Sequence, residues 1–254
     1  MLKVFINGIN GRMGKEVAKL VLANENMTLL GGLDCNETQE FHCPVYTNTT
    51  SIIEKPDVFI DFSAPAATIS LLPFCVQNNI PIVIATTGFT KEQQNKITDS
   101  SLHIPIFQSA NMSYEISLVS NIIAEVSHKL PEAEIEIVET HHDQKKDSPS
   151  GTALLLANSI NKANNHAYSY EFNRMQKSEK RKPKEIGFSS IRGGNIVGEH
   201  SILFFSSNET LEIKHTAHSR SIFAEGSIKA AEFLVKQKAG IYGMDNLCQC
   251  NGEF

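Results

Sequence analysis

Apolar and polar positions change their period along this chain, and the changes divide it into regions. From residue 2 to about 112, short apolar runs alternate with helical patterns; the runs are Lys3–Ile6, Thr28–Leu33, Val58–Phe62, Pro81–Ala85 and Ile104–Phe107. Most of them are apolar without alternation, as strands covered by helices on both faces should be. The pattern predicts a doubly wound parallel sheet. Between 113 and 130 the spacing of Ile116, Val119, Ile123, Val126 and Leu130 predicts a helix with one buried stripe.

Residues 134–140 then alternate strictly, which predicts a half-buried strand that carries His141 and His142 to its C-terminal edge. Successive strand residues face opposite ways, so the strand is expected to end there if both histidines are to reach one ligand. A helix is predicted from about 152, followed by a polar loop through 168–185. Three further strand-like runs, Gly187–Ile191, His200–Phe205 and Leu211–Ala217, are separated by turn residues, and antiparallel pairing among them is expected. A last helix from Ser221 to about Lys238, stopped at Ala239-Gly240, is expected to return to the first domain.

Composition narrows the classes. With 254 residues, 41% hydrophobic and 20% charged, the chain can bury a real core. A net charge of −5 without a long basic tract argues against nucleic acid as a partner; Lys180, Arg181, Lys182 and Lys184 read as a solvated loop. No apolar run approaches membrane-spanning length, and the opening residues enter a strand directly, so neither membrane nor secretion is expected and a cytoplasmic location is. The five cysteines (35, 43, 75, 248 and 250) are scattered and expected to be reduced; Cys248 and Cys250 lack a second pair for a metal.

The first strand runs straight into Gly8-Ile9-Asn10-Gly11-Arg12-Met13-Gly14 and a helix. This G-x-x-G-x-x-G spacing varies the usual dinucleotide loop but keeps its context of a tight turn, close backbone approach and a helix start aimed at a pyrophosphate. The second strand ends at Asp34, placed to accept from an adenosine ribose. Its neighbour Cys35 leaves no arginine there for a 2′-phosphate, so Arg12 is the remaining candidate. The loops Ala85-Thr86-Thr87-Gly88 and Ser109-Ala110-Asn111-Met112 follow later strands and belong to the same sheet edge, where cofactors bind. NADH or NADPH is the implied cofactor.

A second constellation runs from Glu139 to Ala153. His141, His142 and Lys145 precede Ser148-Pro149-Ser150-Gly151-Thr152, which opens a helix whose first-turn N–H groups are expected to suit a carboxylate. A small dianion fits that combination. Asp147 is expected to cap the turn or pair Lys145, since beside a dianion it would repel. A zinc set of His141, His142 and Asp147 lacks a fourth ligand, and no metal is expected. His200, His215 and His218 read as strand-surface residues, and Arg192 as a turn-flanking surface residue in preference to a carboxylate ligand.

Together GINGRMG at 8–14, ATTG at 85–88, SANMS at 109–113, ETHHDQKKDSPSGTA at 139–153 and IGFSSIRGGNIVGEH at 186–200 resemble the 4-hydroxy-tetrahydrodipicolinate reductase family of diaminopimelate and lysine biosynthesis. The resemblance implies an α/β chain with a Rossmann-like doubly wound domain (1–112 and 221–254). It implies an α+β substrate-binding and oligomerisation domain with a mixed open sheet (113–220), assembled as a homotetramer. It also implies catalytic acid groups at His141 and Lys145 and substrate contacts at His142, Gly151 and Thr152. Cofactor contacts would fall on Gly8, Ile9, Asn10, Gly11, Arg12, Met13, Asp34, Ala85, Thr86, Thr87, Ser109, Ala110, Asn111 and Met112. The chain departs from much of the family in Asp143-Gln144, where a more basic pair can occur, and in Met112, a position often aromatic. Two other classes fit the glycine loop alone: another two-domain NAD(P)-dependent amino-acid dehydrogenase, and a dinucleotide-sensing module without turnover. The first leaves the His-His-x-x-Lys string unexplained, and intact His141 and Lys145 argue against the second.

Overall fold

A computed structural model describes residues 1–38, 40–174 and 177–250, the side chain of Cys250 excepted. The chain forms two compact units: Met1–Tyr114 with the described residues from Ser221 onward, and Glu115–Arg220.

The first unit is built from β1 (Leu2–Asn7), α1 (Arg12–Ala23), β2 (Met27–Leu33), β3 (Val45–Tyr46), β4 (Val58–Asp61), α2 (Pro65–Asn78), β5 (Ile82–Ile84), α3 (Lys91–Ser101) and β6 (Pro105–Gln108). Helix α4 (Tyr114–Lys129) leads into the second unit, which contains β7 (Glu134–His141), α5 (Gly151–Ala163), β8 (Ser169–Glu171), β9 (Glu185–Arg192), β10 (Gly198–Phe205) and β11 (Thr210–Ala217). The chain then returns with α6 (Ser221–Leu234), β12 (Gly240–Tyr242) and α7 (Met244–Cys250).

In the first unit seven parallel strands lie in the order β12-β6-β5-β4-β1-β2-β3. Alternate residues of the central strands enter separate cores. Val4, Ile6, Val58 and Ile60 meet Val17 and Val21 of α1 and Ala231 and Leu234 of α6. On the other face Phe5, Phe59, Ile82 and Ile84 meet Leu71 and Leu72 of α2 and Ile97 of α3. Phe5 and Phe59 are fully buried with ring centroids 5.1 Å apart, so cutting either back to alanine should cost about 3–5 kcal/mol. The order reverses between β1 and β4, and in open α/β sheets ligands bind at the carboxyl edge of such a reversal. The returning helix ends four residues earlier than the predicted Lys238. Strand β12 and helix α7 follow it, and neither was predicted, because a three-residue, partly exposed edge strand carries no periodic signal.

The second sheet has the order β11-β10-β7-β9-β8. The expected antiparallel pairing holds for β10 with β11 but not for β9 with β10. Instead β7 lies between them, antiparallel to β10 and parallel to β9. The crossover through α5 and β8 is long enough to return the chain parallel to β7, as parallel pairing requires. Ile135 and Ile137 thereby sit centrally beneath Ile123 of α4 and Leu156 and Ile160 of α5. Val138, Leu203 and Phe205, of opposite parity, stay half-exposed on the other face.

Candidate active site

The glycine loop leaves no room for a side chain at Gly8 or Gly14. Gly8 has φ +81°, and a Cβ there would come within 2.7 Å of the Phe62 carbonyl; a Cβ on Gly14 would meet the Gly8 carbonyl at 2.0 Å. Gly11 donates its N–H to that carbonyl at 3.0 Å, and as the N-cap of α1 it offers no side-chain acceptor to the first-turn N–H groups. Those donors and the helix dipole are suited to a phosphate. A cavity of about 530 Å³ adjoins the loop, lined among others by Gly8, Asp34, Cys35, Thr47, Ser63 and Ala64. Its walls and the glycine-lined loop fit a dinucleotide.

Asp34 accepts the Asn10 N–H on Oδ2 at 2.9 Å, while Oδ1 receives the weak thiol donor of Cys35 at 3.3 Å. The Asn10 amide also reaches the Asn36 carbonyl at 2.9 Å, tying the glycine loop to the end of β2. Arg12 is exposed at the helix start. Ile9 and Met112 turn their side chains into the core, leaving only backbone for a ligand, and Met13 packs partly against the same core. Ala85, Thr86 and Thr87 follow β5, and Ser109, Ala110 and Asn111 follow β6. The neighbouring strands β4, β5 and β6 therefore set both loops along one edge. Thr86 Oγ1 accepts from the Ser63 N–H at 3.0 Å, and Ser109 Oγ donates to the Asn111 carbonyl at 2.6 Å.

Asp61 is a residue that sequence reasoning missed. Fully buried at the end of β4, it accepts from Asn7 Nδ2 at 2.8 Å, Ser63 Oγ at 2.5 Å and Thr68 Oγ1 at 2.5 Å. Burial pushes its carboxyl upward from the usual range, against those hydrogen bonds. The network joins β1, β4 and α2 beside the cavity. A carboxylate closing the apolar run Val58–Ile60 was the available signal.

In the second unit β7 ends at His141, so His141 is buried and His142 half-buried. Glu139, two residues earlier on the same face, is fully buried. Its Oε2 lies 2.5 Å from His141 Nδ1, and Arg192 of β9 clamps both its oxygens from Nη1 at 2.9 Å and Nη2 at 2.7 Å. Burial favours the neutral acid, but bonds from Arg192, Ser190 and His141 outweigh it and hold Glu139 down at about 2. Arg192 is thus an internal counter-ion and not the expected free surface residue. Its place opposite His141 in the β7–β9 register fixes that role. It also donates to the Asp147 carbonyl at 2.8 Å.

Desolvation lowers the His141 pKa, against the raising effect of Glu139. An ionised Glu139 can only accept a hydrogen bond, so Nδ1 keeps its proton and neutral His141 carries its lone pair on Nε2. That nitrogen faces Gly198, where a Cβ would approach it to 3.0 Å. Lys145 Nζ is 2.9 Å from Asp147 Oδ1, the pairing expected for Asp147. His142 Nε2 lies 3.3 Å from an Arg220 guanidinium nitrogen. Ser150 caps α5 by accepting the Ala153 N–H at 3.1 Å, with Gly151 exposed and Thr152 half-buried in the first turn.

His200 departs from its expected surface position. It is 3% exposed, its Nε2 lies 3.0 Å from Ser150 Oγ, and its ring stands edge-on to that of His141 with centroids 5.2 Å apart. Its parity along β10 matches Ile202 and Phe204, which face the helices. Desolvation, with the charge of His141 adding to it, lowers its pKa to about 4. His215 is half-buried, and His218 lies exposed beyond β11. Arg181, expected in solvent, is largely buried against Glu136 and donates to the Ile135 and Glu185 carbonyls at 2.6 and 2.5 Å. Among the described residues no group of three or more His, Cys, Asp and Glu side chains is arranged to hold a metal ion, and no helix is long and apolar enough to cross a membrane. The paired reading of Cys248 and Cys250 falls outside the described residues, because the Cys250 side chain does.

Residues 2–112 match the family described as Dihydrodipicolinate reductase, N-terminus, and residues 115–248 match Dihydrodipicolinate reductase, C-terminus. The chain is 44% identical over 247 residues to the 4-hydroxy-tetrahydrodipicolinate reductase of Caldanaerobacter subterraneus subsp. tengcongensis, covering 97% of this chain and 98% of the relative. It is 43% identical to that of Clostridium novyi over 250 residues, at 97% and 98% coverage. Among solved structures, a dipicolinate-bound dihydrodipicolinate reductase from Paenisporosarcina sp. TG-14 superposes with a TM-score of 0.83 at 29% identity, over 97% of this chain and 99% of that one. The DAP dehydrogenase of C. glutamicum, 13% identical with a TM-score of 0.56 over 96% and 93% of the two chains, shares the fold alone. Matched along both units and closely similar to curated members over nearly its whole length, this chain belongs to the dihydrodipicolinate reductase family.

Proposed function

We propose that this chain reduces 4-hydroxy-tetrahydrodipicolinate to tetrahydrodipicolinate with NADH or NADPH, in diaminopimelate and lysine biosynthesis. One hydride and one proton are added and one water leaves. The observation that carries this reading is the join of two features: the buried Glu139–His141 pair, and the α5 helix start whose Ser150 donates its N–H to Glu139 Oε1 at 3.2 Å.

The glycine loop and the cavity beside Asp34 would hold a reduced nicotinamide cofactor, which would supply the hydride. Gly8 to Met13 would hold the pyrophosphate, Asp34 would accept from ribose hydroxyls, and Ala85 to Thr87 with Ser109 to Met112 would border the remainder. In the second unit the Gly151 and Thr152 N–H groups take one substrate carboxylate, and His142 contacts the substrate beside Arg220. Protonation of the reduced ring falls to Lys145 and His141. Because its pKa is lowered and Glu139 accepts a hydrogen bond from its Nδ1–H, His141 is suited to accept or relay through Nε2, which leaves Lys145 as the donor.

The dicarboxylate substrate is a small molecule, and neither nucleic acid nor membrane enters this reading. The half-exposed sheet face carrying Val138, Leu203 and Phe205 supports assembly into a homotetramer through that sheet, and a cytoplasmic location accords with the free thiols. The test is loss of reduced-nicotinamide absorbance on adding freshly generated 4-hydroxy-tetrahydrodipicolinate to the purified protein. Cofactor binding without substrate-dependent oxidation would overturn the proposal in favour of a sensor.

A further inference from the structure

His200 occupies a place where the sheet would accept an aliphatic side chain. It shares its face with Ile202 and Phe204, it is 3% exposed, and its Nδ1 is buried without a hydrogen-bond partner among the described residues. An unsatisfied buried nitrogen is unfavourable. The other ring nitrogen offsets that cost, and it does so at the substrate-binding helix start. Glu139 and His200 are direct cross-strand partners on β7 and β10. Together they grip one residue: Ser150 N–H donates to Glu139 Oε1 at 3.2 Å, and Ser150 Oγ lies 3.0 Å from His200 Nε2. The same Oγ accepts the Ala153 N–H, so its own proton is free to go to His200 Nε2. The His200 ring also stands edge-on against His141, at 5.2 Å between centroids.

We propose that His200 is a positioning residue for dianion binding, acting through Ser150 to fix the α5 start whose Gly151 and Thr152 N–H groups take a substrate carboxylate. The inference deepens the function proposed above and rests on it. The Ser150 cap alone would order α5 as a helix. Placing its first turn relative to His141 requires a second fixed point, which the hydroxyl bond to the strand supplies. Glu139 orients His141 and Ser150 from one side, and His200 orients them from the other. Charged or titratable groups around His200 are Glu139 and His141 on β7, His215 on β11 and Lys145 in the following loop. A neutral imidazole adds no further charge to that set, and burial keeps His200 neutral near pH 7.

The experiment measures binding of 2,6-pyridinedicarboxylate to the cofactor-loaded enzyme by calorimetry, together with substrate KM and kcat. Wild type, His200→Phe, His200→Gln, His200→Asn, Ser150→Ala and the double variant His200→Phe/Ser150→Ala are compared. A glutamine amide reaches the place of Nε2, whereas asparagine reaches only that of Nδ1. The proposal expects His200→Phe to weaken dianion binding and raise KM by about tenfold, the effect of one lost hydrogen bond, with cofactor affinity unchanged. Glutamine should restore affinity to within about threefold and asparagine should not, and adding His200→Phe to Ser150→Ala should cost nothing more. Equal behaviour of the Gln and Asn variants, or additive losses in the double variant, would show a packing role only and overturn the proposal. Should His200→Phe not fold, the Gln–Asn contrast decides alone. No dianion binding by wild type would instead refute the functional reading on which this one rests.

Discussion

Glu139 Oε2 and His141 Nδ1 lie 2.5 Å apart on one face of β7, with Arg192 bonded to both Glu139 oxygens. The carboxylate is held ionised although it is fully buried, and it therefore dictates which imidazole nitrogen carries the proton. Glu139→Gln removes the charge but keeps the shape. The amide accepts at its single oxygen only, and its NH2 group meets the Arg192 donors. We expect kcat to fall about 10²-fold through loss of the His141 tautomer, with cofactor binding unchanged. Steady-state kinetics with cofactor titration is the check, and a kcat within threefold of wild type would separate Glu139 from the chemistry.

Lys145→Met and His141→Ala should each lower kcat by about 10²–10⁴-fold, the usual effect of removing a positioned acid or relay. Neither residue belongs to the first unit, so the Kd for NADH should stay the same. Full turnover by either variant removes that residue from the mechanism.

Acid should destabilise the fold in two windows. His200 titrates at about 4 when folded against 6.5 as a free side chain, so its contribution is complete above pH 6.5 and lost as pH falls through about 4. Glu139, at about 2 against 4.5, contributes fully above pH 4.5 and loses its share as pH falls through about 2. Each shift corresponds to about 3 kcal/mol. Urea denaturation at pH 7 and pH 4 should show His200→Gln flattening the upper window, and a slope equal to wild type would refute the assignment.

Cofactor choice is expected to follow from the end of β2. Asp34 there is suited to the 2′-hydroxyl of NADH, and the adjacent Cys35 is exposed on the cavity wall and supplies no cation for a 2′-phosphate. NADH should be used at least as well as NADPH. Cys35→Arg should improve kcat/KM for NADPH by about 10–150-fold, the worth of a charge-assisted hydrogen bond. Strong wild-type preference for NADPH, with Cys35→Arg indifferent, would point to Arg12 instead.

Local pattern was enough to reveal most elements. Uninterrupted apolar runs marked β1, β2, β4, β5 and β6 because helices cover both faces, and the alternation of residues 134–140 marked β7 because one face of its sheet is exposed. The glycine loop and the Glu139–Ala153 string were legible for the same reason: each is contiguous, and its chemistry follows from residue type at short spacing. What the sequence did not disclose depends on contacts between distant segments. Register alone places β7 between β9 and β10, and so sets Arg192 against Glu139, 53 positions away in the chain. His200 was ambiguous because both faces of β10 carry apolar residues, Ile202 and Phe204 on one and Leu203 and Phe205 on the other. Its alternation could not say which face the helices cover. Tertiary structure decided that, since burial, the ionisation of Glu139 and the proton position on His141 are set by which strands and helices surround them.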